Sequence, residues 1–296
     1  MRRILIFMVM NIAVVVTISI VMSILGVGPY INAYGLNYTS LAIFCGIWGM
    51  AGSFISLALS KTMAKWGMRV QIVEANSSYS DLVNRIHHFA KAAGLNKMPE
   101  VGVYDSPELN AFATGPSKNN SLVAVSTGLL QNMSRDEVDG VLAHEVAHIA
   151  NGDMVTMALI QGVMNAFVMF FARIAAFALQ NFLRGDDEEG SSFGGGWSYY
   201  ISTFVFEVIF GFLAMFVVAW FSRQREYRAD AGSAQYGGRG NMIAALQKLK
   251  ASYPTLADST DNVKAMKISS KSSFLQLLST HPNLDDRIEA LQKNSY

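Results

Sequence analysis

The stretch His144-Glu145-Val146-Ala147-His148 is the one around which the rest of the chain can be arranged. Positions i and i+4 of a helix lie on one face, so two imidazoles at this spacing can reach the same metal ion. Glu145 lies beside the first histidine, where it can take a proton from a metal-bound water without being a ligand itself. The stretch predicts a metal site on a helix. The alternative is a buried helix that happens to carry two histidines.

The flanking sequence predicts the helix that such a site needs. Ser134-Arg135-Asp136-Glu137 is a capping box that starts a helix, and Asn151-Gly152 ends it. Apolar residues recur at helical spacing between these ends: Val138, Val141, Leu142, Val146 and Ile149.

The composition indicates a membrane protein. Of 296 residues, 51% are hydrophobic and 15% are charged, whereas soluble domains carry roughly 25% charged residues. The net charge of +1 gives no general case for binding nucleic acid. The single cysteine, Cys45, excludes an intrachain disulfide and lies in an apolar stretch, where we expect it to be a packing residue.

Four apolar stretches are long enough to cross a bilayer, which takes about 20 residues. They are Ile4–Leu25, Thr39–Ser60, Met154–Leu183 and Trp197–Phe221. The first could instead be a cleaved signal, but it is longer than a signal core and no Ala-x-Ala follows it. The sequence therefore predicts an α-helical membrane protein with four transmembrane helices.

These spans divide the chain into four regions. Residues 1–60 hold the first two helices, and residues 154–221 form a transmembrane hairpin with an acidic, Gly-rich outer loop. Residues 61–153 carry the metal helix, and residues 222–296 complete the site. Residues 1–3, 61–153 and 222–296 together contain 21 of the 23 Lys and Arg residues. Such a bias predicts that both regions and both termini are cytosolic.

Arg173 and Glu207 lie inside the third and fourth spans. Charges in a bilayer are costly, so we expect the two to pair. A structural ion pair is one interpretation and a functional site in the membrane is the other.

The polar regions contain further predicted elements. His87 and His88 lie in a predicted helix, Ser80–Ala93, and we interpret them as ordinary helix residues because adjacent positions point in different directions. Three strands make the first polar region a small α+β domain: Pro99–Tyr104, Asn110–Gly115 and Leu122–Ser126. The second region is predicted to contain a turn at Gly237–Gly240 and helices over Asn241–Ala251, Phe274–Leu278 and Leu284–Leu291.

A catalytic zinc site usually has three protein ligands, and the third must come from outside the helix. Glu226 is the best candidate, because the third and fourth spans run out and back and return it to the face of the histidines. Asp230, one turn later, can accept the other ring N–H of a ligating histidine. Asp153 is too close in sequence to come round to the metal, and we interpret it as an interfacial residue. The alternative for Glu226 is a surface carboxylate paired with arginines.

His144-Glu145-x-x-His148 followed by Glu226-x-x-x-Asp230 is similar to the gluzincin arrangement of zinc metalloproteases. The stretches 125–130, 143–153 and 221–230 closely resemble bacterial membrane proteases of peptidase family M48. The resemblance implies a zincin-like catalytic domain, one zinc ion per chain and a multi-pass protein of the bacterial inner membrane. It also implies that damaged or misfolded membrane proteins are cut on the cytosolic side, as part of stress response and protein quality control.

The same resemblance implies further site residues. It implies that His281 stabilises the developing oxyanion, aided by Arg287. Asn110-Ala111-Phe112 resembles the edge strand on which gluzincins hold an extended substrate by strand addition.

Three other functions compete with a cytosolic protease. Cleavage inside the bilayer would need an embedded metal helix, but charged residues bracket this one. A non-catalytic, zinc-stabilised membrane adaptor or chaperone-like protein would not need Glu145. A transporter with a metal site would need polar residues along its spans, and these spans have almost none.

Overall fold

The computed structural model describes residues 24, 37–184, 197–258, 279 and 281–293, without the side chains of 184 and 253–258. All of the predicted first span except Ile24, the acidic loop and the predicted helix Phe274–Leu278 lie outside these residues. In chain order the elements are α1 (Tyr38–Gly67), β1 (Gln71–Val73), α2 (Ser80–Ala92), β2 (Glu100–Tyr104), β3 (Ala111–Ser117), β4 (Asn120–Ser126), α3 (Thr127–Asn132), α4 (Arg135–Asn151), α5 (Asp153–Arg184), α6 (Trp197–Ser233), a π-helical segment (Ala234–Gly238), α7 (Arg239–Asp258) and α8 (Leu284–Gln292).

The chain divides into two compact units. The first contains the described residues up to Ser56 together with Ala158–Val218, and the second contains Leu57–Met157 and the described residues from Ala219 onward. Within the described residues, three helices are long and apolar enough to cross a membrane. They correspond to the second, third and fourth predicted spans, while the predicted first span stays a prediction.

The first unit is held together by small and aromatic residues on its helices. Cys45 is fully buried with Ala42 in a cluster that includes Ala166 and Phe170, which confirms its packing role. Arg173 and Glu207 pair as predicted, with Nη1 of the arginine 3.1 Å from Oε1 of the glutamate.

The second unit is built on a four-stranded sheet with the order β1-β2-β4-β3. Strands β2 and β4 run parallel, and β1 and β3 flank them antiparallel. All three strands predicted from the sequence are present within one or two residues of their predicted bounds. In the described part of the chain β3 pairs with β4 alone, so its outer side is an open edge there, beside the metal helix.

Helix α4 begins and ends as the sequence predicts. The Ser134 hydroxyl accepts from the Glu137 N–H and the Glu137 carboxylate accepts from the Ser134 N–H, which completes the capping box. Gly152 ends the helix in the left-handed conformation, with φ 76°. The apolar face of α4 packs into the main core with α2 and the sheet, so both ends of the metal helix are fixed.

Helix α7 starts two residues earlier than predicted. The expected turn at Gly237–Gly240 is reduced to one left-handed residue, Gly238 (φ 94°), which is the last of the π-helical segment and directly precedes α7. A Cβ on Gly140 of α4 would lie 2.5 Å from the backbone oxygen of Asn241. The absence of a side chain at Gly140 therefore lets the start of α7 pack directly against the metal helix.

Candidate metal centre

His144 and His148 are both buried on α4 and face each other. Their Nε2 atoms lie 3.1 Å apart, and the rings are nearly perpendicular at 86°. The i, i+4 spacing on a regular helix produces this convergence, as the sequence predicts.

Glu226 on α6 supplies the third donor. Its Oε2 lies 3.5 Å from His144 Nε2 and its Oε1 lies 3.5 Å from His148 Nε2. The side chain is only 2% exposed, so its charge lies among buried groups. One ligand atom from each of the three residues lies within 4.8 Å of the others. Two imidazole nitrogens and a carboxylate are the donor set of a catalytic zinc site, and this arrangement fits zinc.

A buried chain of contacts supports His144 from behind. Its Nδ1 lies 3.0 Å from Asp230 Oδ1. Asp230 in turn accepts two hydrogen bonds from Arg287, at 2.8 Å from Nε and 2.6 Å from Nη2. Arg287 Nη1 also lies 3.5 Å from Glu226 Oε2. The guanidinium of α8 therefore balances both carboxylates.

Asp153 supports the second histidine, and its interpretation as an interfacial residue is wrong. Its Oδ2 lies 2.7 Å from His148 Nδ1, and the side chain is buried. On a continuous helix, residues five apart point in different directions. The left-handed Gly152 breaks α4 and turns the chain, so that the first residue of α5 reaches back to the histidine. Gly152 followed by a new helix was the only signal in the sequence for this contact.

The pKa values of these groups reflect their mutual contacts. Burial would lower the pKa of His144, but its contacts with Asp230 and Glu226 raise it to about 9. Burial would likewise raise the pKa of Glu226, but His144 and His281 hold it well below the usual range. Arg287 and His144 keep the pKa of Asp230 low despite its burial. Both carboxylates are therefore anions at neutral pH, as cation ligation and support require.

A cleft of about 820 Å³ opens over the centre. Glu145 and His281 line it beside His144 and Glu226, and Asn110 and Ala111 line it from the start of β3. His281 is 64% exposed, and its Nδ1 lies 3.1 Å from Glu226 Oε2. Phe112 does not line the cleft; its ring packs on Tyr104, 5.7 Å away between centroids. Arg287 lines the cleft but is held by Asp230.

Sequence reasoning did not find one wall of this cleft. It is apolar and is formed by side chains from three helices: Leu129 of α3, Val141 of α4, and Met242 and Leu246 of α7. The position of α7 depends on the turn at Gly238 and the contact at Gly140, which no local pattern predicts.

Known proteins are similar to this chain in sequence and in fold. Residues 76–295 match the family described as Peptidase family M48. Protease HtpX of Chromohalobacter salexigens is 49% identical over 301 residues, covering 100% of this chain and 99% of that protein. Protease HtpX of Aeromonas hydrophila is 50% identical over 298 residues, covering 99% and 100%. The crystal structure of S. mikatae Ste24p aligns with a TM-score of 0.58 at 18% identity, over 93% of this chain and 64% of that one.

Proposed function

The chain belongs to peptidase family M48, and from this premise we propose that it is a membrane-integrated, zinc-dependent endopeptidase. His144, His148 and Glu226 would hold one zinc ion, and Glu145 would act as the general base. The convergence of these three donors beside Glu145, in a cleft next to an open strand edge, carries the proposal.

In the proposed mechanism, zinc, Glu145 and His281 have separate roles. When bound, zinc supplies the Lewis acidity that lowers the pKa of a nearby water towards about 7 and polarises the scissile carbonyl. Glu145 takes the water proton and later returns it to the leaving amine. His281, exposed in the cleft, donates to the oxyanion that develops on the substrate. No residue forms an acyl intermediate, so chelators should inhibit and serine reagents should not.

Substrate backbone would pair with the edge of β3. Asn110 and Ala111 lie where that edge meets the cleft, and strand addition would bring the scissile bond past Glu145. Phe112 would contribute its backbone only, because its ring packs on Tyr104. An extended substrate is required for this pairing, which favours unfolded segments over folded ones.

We propose damaged or misfolded membrane proteins as substrates and the cytosolic side as the place of cleavage, which would be a role in protein quality control. Three candidate spans support a protein of the membrane. The Lys and Arg bias of residues 61–153 and 222–296 supports a cytosolic site in a bacterial inner membrane. The apolar wall formed by Val141, Met242 and Leu246 would accept the apolar side chains of such substrates.

The Glu145→Gln variant tests the mechanism. The full chain, purified in detergent with zinc, is compared with this variant in cleaving unfolded casein and a membrane-protein substrate. We expect the variant to bind zinc as the original does and to lose nearly all cleavage. Glu74→Gln is the matched control, because Glu74 is exposed and outside the cleft. Equal cleavage by Glu145→Gln at equal zinc content would show that the proposed mechanism is wrong, and no cleavage by the original chain would favour a non-catalytic, zinc-stabilised adaptor.

A further inference from the structure

Asp153 is a buried carboxylate that the proposed chemistry does not use. It is 1% exposed, and only its Oδ2 is hydrogen-bonded, to His148 Nδ1 at 2.7 Å. Among the described residues, its Oδ1 has no hydrogen-bond partner. Of the described arginines, Arg228 lies near it, with Nη2 3.8 Å from Oδ1 on a side chain that is 61% exposed. A buried carboxyl group with one oxygen lacking a partner is costly and needs an explanation.

The contact orients the imidazole. When the Asp153 carboxylate accepts from Nδ1 of His148, the ring carries its proton on Nδ1. The lone pair is then on Nε2, the atom that faces His144 and Glu226. Because the two ring nitrogens lie on different sides of the imidazole, Asp153 supports the histidine from outside the cluster and is not itself a donor to it.

Local structure fixes this geometry tightly. Gly152 turns the chain with φ 76° between α4 and α5. A Cβ there would lie 3.1 Å from Lys118 Cε, and the Lys118 ammonium donates to the Ala150 carbonyl at the same helix end. The turn between the two helices is therefore braced by the β3–β4 hairpin, and the carboxylate of Asp153 is held where the ring needs it.

We infer that Asp153 is a positioning residue of the metal centre: its hydrogen bond to Nδ1 fixes the tautomer of His148 and holds the ring with Nε2 towards His144 and Glu226. Loss of such partners lowers metal affinity about 10–100-fold.

A different role must be distinguished. Asp153 is the first residue of α5, and an acidic residue there stabilises the helix N-terminus by itself. If that were its only role, Asp153→Asn would change the stability of α5 but neither the His148 tautomer nor the zinc affinity.

The test measures zinc binding by Asp153→Asn and Asp153→Ala in the full chain in detergent, by competition with a chromophoric chelator. We expect about tenfold weaker binding for Asp153→Asn and up to about 100-fold for Asp153→Ala, with a changed absorption spectrum of bound Co²⁺. Asp139→Asn is the control, because Asp139 lies on α4, the helix of His148, and pairs with Arg85 outside the site. Unchanged affinity and spectrum in Asp153→Asn, or an equal loss in Asp139→Asn, overturns the inference.

A measurement on the unmodified chain tests the role of Asp153 independently of any variant. With ¹⁵N-labelled histidine and no metal, His148 should carry its proton on Nδ1, and a proton on Nε2 overturns the inference even if no variant folds. The inference rests on the proposed metal centre but fails separately from it. If the unmodified chain binds no zinc, the centre itself is wrong; if it binds zinc and Asp153→Asn binds it equally, only the role of Asp153 is wrong.

Discussion

Arg287 and Asp230 form a buried pair with two hydrogen bonds, of 2.8 and 2.6 Å, that joins α8 to α6 directly behind the metal centre. Since Asp230 contacts His144 and Arg287 also reaches Glu226, one guanidinium supports two of the functional groups of the site. Helix α8 is therefore part of the site, because its Arg287 contacts the carboxylates of the metal centre.

Replacing Arg287 should therefore affect stability and zinc binding before it affects chemistry. Arg287→Met leaves two buried carboxylates without their cation, and breaking a buried pair costs about 3–5 kcal/mol. We expect a lower free energy of unfolding and weaker zinc binding, while Arg287→Lys should recover part of both. Chemical denaturation of the metal-free chain and chelator competition measure the two effects. A fall in kcat at unchanged stability and zinc affinity would instead support direct oxyanion stabilisation.

The sequence predicts those parts of the fold and of the site whose determinants are local or topological. The capping box and apolar periodicity predict α4, and the out-and-back path of two spans brings Glu226 to the histidines. The contact of Asp153 with His148 is not predicted, because the direction of the Asp153 side chain depends on the backbone angle φ of Gly152. Met242 and Leu246 were missed because their place in the cleft depends on how α7 packs on α4, which is a property of the whole second unit.

His281 should contribute to rate more than to binding. Its ring is exposed in the cleft and close to Glu226, where it can donate to developing negative charge. Loss of one oxyanion donor typically costs about 10²–10³ in kcat, and we expect this for His281→Ala with KM and zinc content nearly unchanged. His88→Ala is the matched control, because His88 lies exposed on α2. Equal rates for both variants would remove His281 from the mechanism.

Zinc binding should release a proton from His144. Its pKa in the folded, metal-free chain is raised to about 9, compared with about 6.5 for a free histidine. This group therefore stabilises the metal-free fold fully below about pH 6.5, and the contribution is lost as the pH rises through about 9. Zinc needs the deprotonated ring, so affinity should rise with pH up to about 9.

Calorimetry in two buffers of different ionisation enthalpy measures the number of protons that are released when zinc binds. We expect about one proton released per zinc near pH 7 and close to none from this group near pH 10. The same proton count at both values would show that His144 is already neutral in the metal-free chain, and that its contacts with Asp230 and Glu226 do not hold the proton.

The pair of Arg173 and Glu207 allows a test of whether a charge inside an apolar helix is structural or functional. The two side chains meet at 3.1 Å on α5 and α6, and the guanidinium also donates to the Met169 carbonyl and lies over the Phe44 ring. Replacing one partner leaves the other unpaired among apolar helices, where a charge costs about 2.5–3.5 kcal/mol. Replacing both removes the charges and their desolvation together.

We expect Arg173→Met and Glu207→Met to be destabilised singly, and the double variant to be at least as stable as the original chain. Reversible unfolding in mixed micelles measures the cycle, and casein cleavage is followed in parallel. A structural pair predicts that the double variant cleaves casein at the original rate, because casein need not enter a membrane. If the double variant is stable but inactive, the pair takes part in the function of the protein, and the interpretation as a structural ion pair is wrong.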